Sequence, residues 1–353
     1  MSQTPSVDVL IKVGNLTQFA AAVLAGTGIT TQNAELVAQS LVAADVEGVP
    51  SHGVALLPLY VKRLNAGGVV AKAEPAIVED LGGLVVMTAS HVLGQISSKM
   101  AIDLAAERAK LHGISMVTVR NGFHFGTAGY WAKALAVQGM IGFAFSNTRP
   151  LMPAPGGAQA VVGNNPIAIA FPSDTGTPVV IDMAMSATAM GKIRLADTKG
   201  EDIPLGWATD ADGRPTTDPA EAIKGMLLPA AGPKGFGLAV AVDLLCGALS
   251  GGAFGDAVKP MYGNPAEHYD CSHAFIAIDA QQTGSGSGIG AAVTSLANQI
   301  RESNKAPDTA RIFAPGDIEQ SSRDERHEQC PFPQELVNQL NQLAQQVGST
   351  ARL

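Results

Sequence analysis

The chain has 353 residues, a formal net charge of −8 and no lysine or arginine run long enough to form a basic patch, which argues against a nucleic-acid partner. Apolar residues make up 46% and charged ones 15%, enough for a sizeable core. The longest apolar run, 227–249, is interrupted by Pro229, Pro233, Lys234 and Asp243 and falls short of the ~20 unbroken residues of a membrane span.

Residues 1–10 lack a basic segment leading into an apolar one, and Cys246, Cys271 and Cys330 are widely spaced. We therefore expect no signal peptide, free thiols and a cytoplasmic protein. In chain order, a helix is expected over 16–25, ended by Gly26 and Gly28, and a second from the caps Thr30 and Thr31 to about Glu47. A third, 54–64, puts Leu57, Tyr60, Val61 and Leu64 on one face and stops at Gly67 and Gly68. The loop between the second and third carries Ser51-His52-Gly53.

The middle alternates: strand 84–87, helix 95–111, strand 114–120, helix 130–137, strand 141–146. Closely spaced apolar runs at 167–171 and 179–182 then read as a meandering sheet rather than strict βαβ winding. A buried helix over 235–251, a strand over 274–278 and helices over 289–301 and 333–347 complete the reading, with a Gly/Ser loop at 284–290.

That loop contains a false lead. Gly286, Gly288 and Ala291 spell G-x-G-x-x-A, but Gly/Ser repeats produce such matches by chance. No second strand with its ribose-binding carboxylate follows Arg301, as a Rossmann unit requires. The letters G-x-S-x-G at 284–288 likewise lack the strand-to-helix turn of a nucleophile elbow.

Three constellations combine glycine with proton-transfer or anion-binding groups. In Ser51-His52-Gly53 a hydroxyl can orient an imidazole, although an ordinary turn looks the same. In 121–128, His124 stands at a strand end before a helix N-terminus whose free N–H groups suit a phosphate; a half-buried histidine between two phenylalanines is the plainer reading. At 231–235, Lys234 sits in a Gly/Pro turn opening a helix, as a phosphate ligand or simply a lysine at a helix start. His268, Cys271 and His273 match no zinc spacing and read as a polar loop entering the sheet, so no metal is expected.

These segments, in this order, resemble the malate/L-lactate dehydrogenase family, which includes ureidoglycolate dehydrogenase, sulfolactate dehydrogenase and the cyclic-imine (piperideine/pyrroline-2-carboxylate) reductases. The matching residues are Ser51-His52-Gly53 with Pro58 and Tyr60, Gly122 to Ala128, and Pro155-Gly156-Gly157. They continue with Gly163-Asn164-Asn165-Pro166-Ile167-Ala168, Asp182-Met183-Ala184, Leu228-Pro229 through Gly235, and Ala314 to Asp317.

The resemblance implies an α/β fold that is not Rossmann: a mixed, largely antiparallel cofactor-binding sheet with a mostly helical dimerisation part, as in sulfolactate dehydrogenase. We expect a helical N-terminal part (1–75), a cofactor- and substrate-binding part (76–284), and C-terminal helices (285–353) packing back on the first. It further implies a homodimer that transfers hydride between NAD or NADP and C2 of a small 2-hydroxy or 2-oxo acid.

Carried over residue by residue, His52 with Ser51 resembles the proton-transfer pair of the imine reductases, and His124 the histidine given that role in ureidoglycolate dehydrogenase. His52 is the preferred donor. His124, Phe125, Gly126, Thr127, Ala128, Thr148, Asp182, Met183, Ala184, Lys234, Pro315, Gly316 and Asp317 resemble cofactor-contacting positions.

The departures bear on substrate. Many members carry an arginine where Leu56 stands, so another cation (Arg149, Lys192 or Arg63) must hold a carboxylate, or the substrate is bulkier or less charged, with Leu56 adding apolar surface. Asn164, a substrate-side position, replaces a threonine of the imine reductases, and Lys192 replaces an aspartate that supports their histidine. Ile318 and Glu319 stand where an NADPH-using relative has arginines, which favours NAD. A cyclic-imine reductase and a non-catalytic nucleotide-binding relative are the alternatives.

Overall fold

The computed structural model describes residues 8–283 and 288–353; Gly286 and most of the Gly/Ser loop lie outside the described residues. The chain begins with β1 (Asp8–Lys12), α1 (Val13–Ala25), α2 (Thr31–Val46) and α3 (Leu57–Ala66). Thr30 caps α2 by accepting from the Asn33 N–H at 3.2 Å, and Gly67, at φ +85°, closes α3 in a left-handed turn. The expected third helix starts three residues late, because two tight turns, Pro50–His52 and Val54–Leu56, precede it.

Next come β2 (Ala76–Asp80), β3 (Leu84–Thr88), α4 (Gly94–His112), β4 (Ile114–Gly122), α5 (Ala128–Ala136) and β5 (Ile141–Ser146). These are followed by β6 (Met152–Pro153), β7 (Ala160–Val162), β8 (Ile167–Phe171), β9 (Val179–Met183) and α6 (Met190–Lys199). A small region adds β10 (Ala208–Thr209), β11 (Pro215–Thr216), α7 (Pro219–Lys224), β12 (Met226–Leu227) and α8 (Pro233–Asp243). The chain finishes with β13 (Cys271–Ile278), α9 (Ile289–Arg301), α10 (Asp317–Arg326), β14 (Gln329–Pro333) and α11 (Gln334–Gln346).

Seven strands form the main sheet in the order β2-β3-β4-β13-β5-β8-β9. Only β3 and β4 run parallel; every other neighbouring pair is antiparallel. This is the mixed, largely antiparallel sheet expected, and no doubly wound dinucleotide fold. Helices α4 and α5 cover one face, burying Val85, Met87, Val117, Val119, Trp131, Leu135 and Phe275. The small residues of the composition have a role here. A side-chain carbon at Gly142 would meet the Ala132 carbonyl oxygen at 2.5 Å, so α5 lies close on the strand.

A second core joins α1, α2, α3 and α11 through Leu16, Leu24, Leu41, Tyr60 and Leu340, while β1 and β14 pair antiparallel and tie the two ends of the described chain. The helix expected to be buried over 235–251 differs. It is α8 followed by a π-helical stretch, Leu244–Ala248, and only its inner side is covered. Leu238, Leu244 and Leu249 are 50%, 48% and 41% exposed, a stripe of large apolar side chains on one chain's surface. Among the described residues no helix is long and apolar enough to cross a membrane.

Candidate active site

Two histidines from different layers meet. His52 ends the tight turn between α2 and α3, and His124 follows β4. Their ring centroids are 5.3 Å apart, and both residues are half-buried. Ser51 Oγ lies 3.0 Å from His52 Nδ1, and the Tyr60 hydroxyl lies 2.7 Å from His124 Nδ1. Burial pulls the His52 imidazole below its ordinary pKa. His124 is pulled well below, by burial first and then by His52 and His273.

The His52 turn is anchored from beneath. Asp45, buried on α2, accepts the Val54 N–H at 2.8 Å, and a side-chain carbon at Gly53 would meet its Oδ1 at 1.9 Å, so only glycine fits. Burial pushes the Asp45 carboxyl up to about 7, against the Val54 N–H and Arg326, which pull it down.

From His124 a continuous wall leads away. Gly126, at φ +85°, turns the chain into α5, whose second N–H, on Gly129, donates to Asp182 Oδ2 at 2.8 Å. Asp182 stands one residue before the end of β9, and desolvation in the wall raises its carboxyl to about 6, opposed by that N–H. Gly316 packs on Val180 of the same strand, and the Val180 N–H donates to the Pro315 carbonyl. Beyond Asp182, the Met185 N–H donates to the Asn164 carbonyl, the Thr148 hydroxyl donates to Asn164 Oδ1 at 3.0 Å, and Ser186 bridges Pro229. The segment 228–230 leads through Gly232 into α8 with Lys234 exposed on its first turn.

This wall fits a dinucleotide. It offers the α5 N-terminal N–H groups other than that of Gly129, an acceptor carboxylate in Asp182, whose Oδ1 has no hydrogen-bond partner among the described residues, and the left-handed turn at Gly126. Thr127 caps α5 without a side-chain bond, leaving its hydroxyl without a partner among the described residues. Phe125 departs from the expectation. Its ring stacks on His273 at 4.4 Å in the core, so only its backbone can face the cleft.

Other expected residues also turn out differently placed. Leu56, 6% exposed, packs in the helical core and has little surface to give a substrate. Arg63, 1% exposed, donates to the carbonyls of Pro260, Met261, Asn264 and Glu267, so its guanidinium is already used in holding that loop. The Asp317 carboxylate pairs bidentately with Arg301 at 2.8 and 2.9 Å and accepts the Ala314 N–H, so it fixes the 314–317 loop rather than standing free. Arg149 and Lys192 are exposed and have no carboxylate partner among the described residues.

His268 stacks on His91 at 3.6 Å, apart from Cys271, whose Sγ lies 3.4 Å from His273 Nε2. A groove of about 540 Å³ between α2, α4 and β2, lined by Leu36, Ile77, Ile96 and Met100, touches neither catalytic candidate. Sequence reasoning gave no role to Gln95 or Asp45. Helical spacing marks Gln95 only as polar and Asp45 only as near the loop, and both partnerships cross between elements.

Residues 11–341 match the malate/L-lactate dehydrogenase family profile. The chain is 37% identical over 326 residues to L-sulfolactate dehydrogenase of Methanocaldococcus jannaschii, covering 92% of this chain and 94% of that protein. The solved structure of sulfolactate dehydrogenase from that organism superposes with a TM-score of 0.91 at 36% identity, over 97% of this chain and 98% of the other. A malate dehydrogenase of Pyrococcus abyssi is 34% identical over 349 residues, 96% of this chain and 95% of its own. A (2R)-3-sulfolactate dehydrogenase (NADP(+)) of Chromohalobacter salexigens is 34% identical over 337 residues, 95% of this chain and 98% of its own.

Proposed function

The chain belongs to the malate/L-lactate dehydrogenase family, and from that premise we propose that it is an oxidoreductase moving a hydride between nicotinamide and C2 of a 2-hydroxy or 2-oxo acid. The observation that carries the reading is the pair of imidazoles 5.3 Å apart at the head of a wall built for a dinucleotide. Bound nicotinamide supplies or takes the hydride. The protein must manage the charge and the proton.

Reduction of a 2-oxo acid places a negative charge on the C2 oxygen and consumes one proton. His124, held neutral by burial, is suited to polarise that oxygen through an N–H, as a neutral imidazole with a depressed pKa can. His52, oriented by Ser51, delivers the proton as imidazolium and takes it back when the hydroxy acid is oxidised. The α5 N-terminus and Lys234 meet the phosphates, Asp182 a ribose hydroxyl, and Thr148 and Asn164 the neighbouring wall.

With Leu56 and Arg63 both packed away, Arg149 is the cation assigned to the substrate carboxylate, with Lys192 second. Thr148 and Asn164 adjoin Arg149, and its charge acts on the buried Tyr269, which packs against Phe123 beside His124. NAD is the favoured cofactor, because Glu319 lies near enough to Asp182 to raise its carboxyl, and two carboxylates there disfavour a 2′-phosphate. A second copy of the chain covers the exposed Leu238, Leu244 and Leu249, giving a homodimer. Following nicotinamide absorbance against a panel of 2-oxo acids with both cofactors tests the activity; no turnover with any acid would overturn it.

A further inference from the structure

Tyr60 and Gln95 perform no step in the reaction above, yet both are fully buried beneath His124. Gln95, on the first turn of α4, donates its Nε2–H to the Tyr60 hydroxyl at 3.0 Å, and that hydroxyl lies 2.7 Å from His124 Nδ1. The spacing is held by backbone. A side-chain carbon at Gly94 would meet the Phe123 carbonyl oxygen at 2.1 Å and that of His124 at 2.7 Å, so α4 begins directly against the histidine's main chain.

A phenol has one proton to give. With the amide N–H arriving at its oxygen, the phenol proton is left for the other polar neighbour, His124 Nδ1. Burial, against the opposing pull of the Gln95 hydrogen bond, keeps the phenol un-ionised, so the proton is present to be given. Nδ1 must then accept, and a neutral ring carries its proton on Nε2. That nitrogen makes no hydrogen bond among the described residues and is not buried as an orphan.

We infer that Gln95 and Tyr60 are positioning residues that fix His124 as the Nε2-protonated tautomer, so that a neutral imidazole presents an N–H toward the reacting oxygen. Without the phenol the ring could take either tautomer, and the Nδ1-protonated fraction would meet the oxygen with a lone pair instead of a donor. The catalytic meaning rests on the dehydrogenase reading, but the tautomer itself can be read without any turnover.

The test is long-range proton–nitrogen correlation NMR of protein carrying 15N-histidine, well above neutral pH, with the His124 signals assigned by their loss in His124→Asn. Wild type is expected to show an unprotonated, acceptor-type Nδ1 and a protonated Nε2. Gln95→Glu offers a carboxylate that accepts a hydrogen bond from the phenol O–H, so the phenol oxygen becomes an acceptor and the His124 proton is expected to move to Nδ1. Tyr60→Phe should give a mixture of tautomers and reduce kcat for 2-oxo acids about tenfold while KM stays within about twofold. A protonated Nδ1 in wild type, which would mean that the Gln95 amide presents its oxygen to the phenol, overturns the inference. So do His124 signals unchanged in Gln95→Glu. Absence of turnover would sink the dehydrogenase reading and leave the tautomer result standing.

Discussion

His52 and His124 bring their ring centroids to 5.3 Å with the planes tilted by 32°, though one sits in the helical layer and the other at the end of a central strand. Burial lowers both pKa values, which sets the direction of the pH response. The His52 imidazolium is populated only as the pH falls toward its lowered folded value. The rate of 2-oxo acid reduction is therefore expected to fall as pH rises through the mildly acidic range, and hydroxy-acid oxidation to climb over the same range to a plateau. His52→Asn should flatten both profiles and slow turnover by ~10²–10⁴-fold. Initial rates across that range decide it; a His52→Asn profile superimposable on wild type would speak against this role.

Arg149 is the exposed guanidinium assigned to the substrate carboxylate. Arg149→Met should raise KM for 2-oxo acids by roughly ten- to a hundredfold, the worth of a charge-assisted hydrogen bond, and change kcat less. Arg149→Lys should recover only part of it, since an ammonium lacks the bidentate fork. Steady-state kinetics with an acid and its neutral amide separate the cases, because the amide should be insensitive to the change.

Asp182 and Glu319 place negative charge at one end of the wall. Asp182→Asn combined with Glu319→Gln should lower the NADH-to-NADPH ratio of kcat/KM by about tenfold. An unchanged ratio would take cofactor choice away from this pair.

The exposed leucines of α8 and the π-helical stretch after it predict self-association. Leu249→Glu should turn a dimer into a monomer in sedimentation experiments, with far-ultraviolet circular dichroism unchanged. A wild-type chain that sediments as a monomer would refute the leucine stripe as an interface.

How far these features can be read from the chain differs from element to element. The strands at 114–120 and 141–146 and the helix at 95–111 announce themselves through local pattern, and each appears with small shifts of its ends. Pairings between distant segments leave no local mark. β1 and β14 hold each other only as a ladder across the chain, and α10, with no buried residue, offers no apolar periodicity to detect. The same limit explains the misread side chains. Arg63 looks like a free cation until the 260–267 loop folds its carbonyls around it, and Asp317 looks like a cofactor-contacting carboxylate until Arg301 arrives from α9. Leu56 stands at a position that faces substrate in the resemblance, but here its apolar side chain turns into the helical core. Tyr60 reads as a core residue by spacing and is one, and its hydroxyl becomes informative only when His124 and Gln95 are seen around it.

The most direct test replaces both imidazoles at once. His52→Asn with His124→Asn should bind NADH with an affinity within about threefold of wild type by fluorescence titration, since neither change removes the α5 terminus or Asp182. Hydride transfer to 2-oxo acids should meanwhile drop at least ~10³-fold in single-turnover measurements. Transfer at the wild-type rate in the doubly substituted protein would contradict the account at its centre.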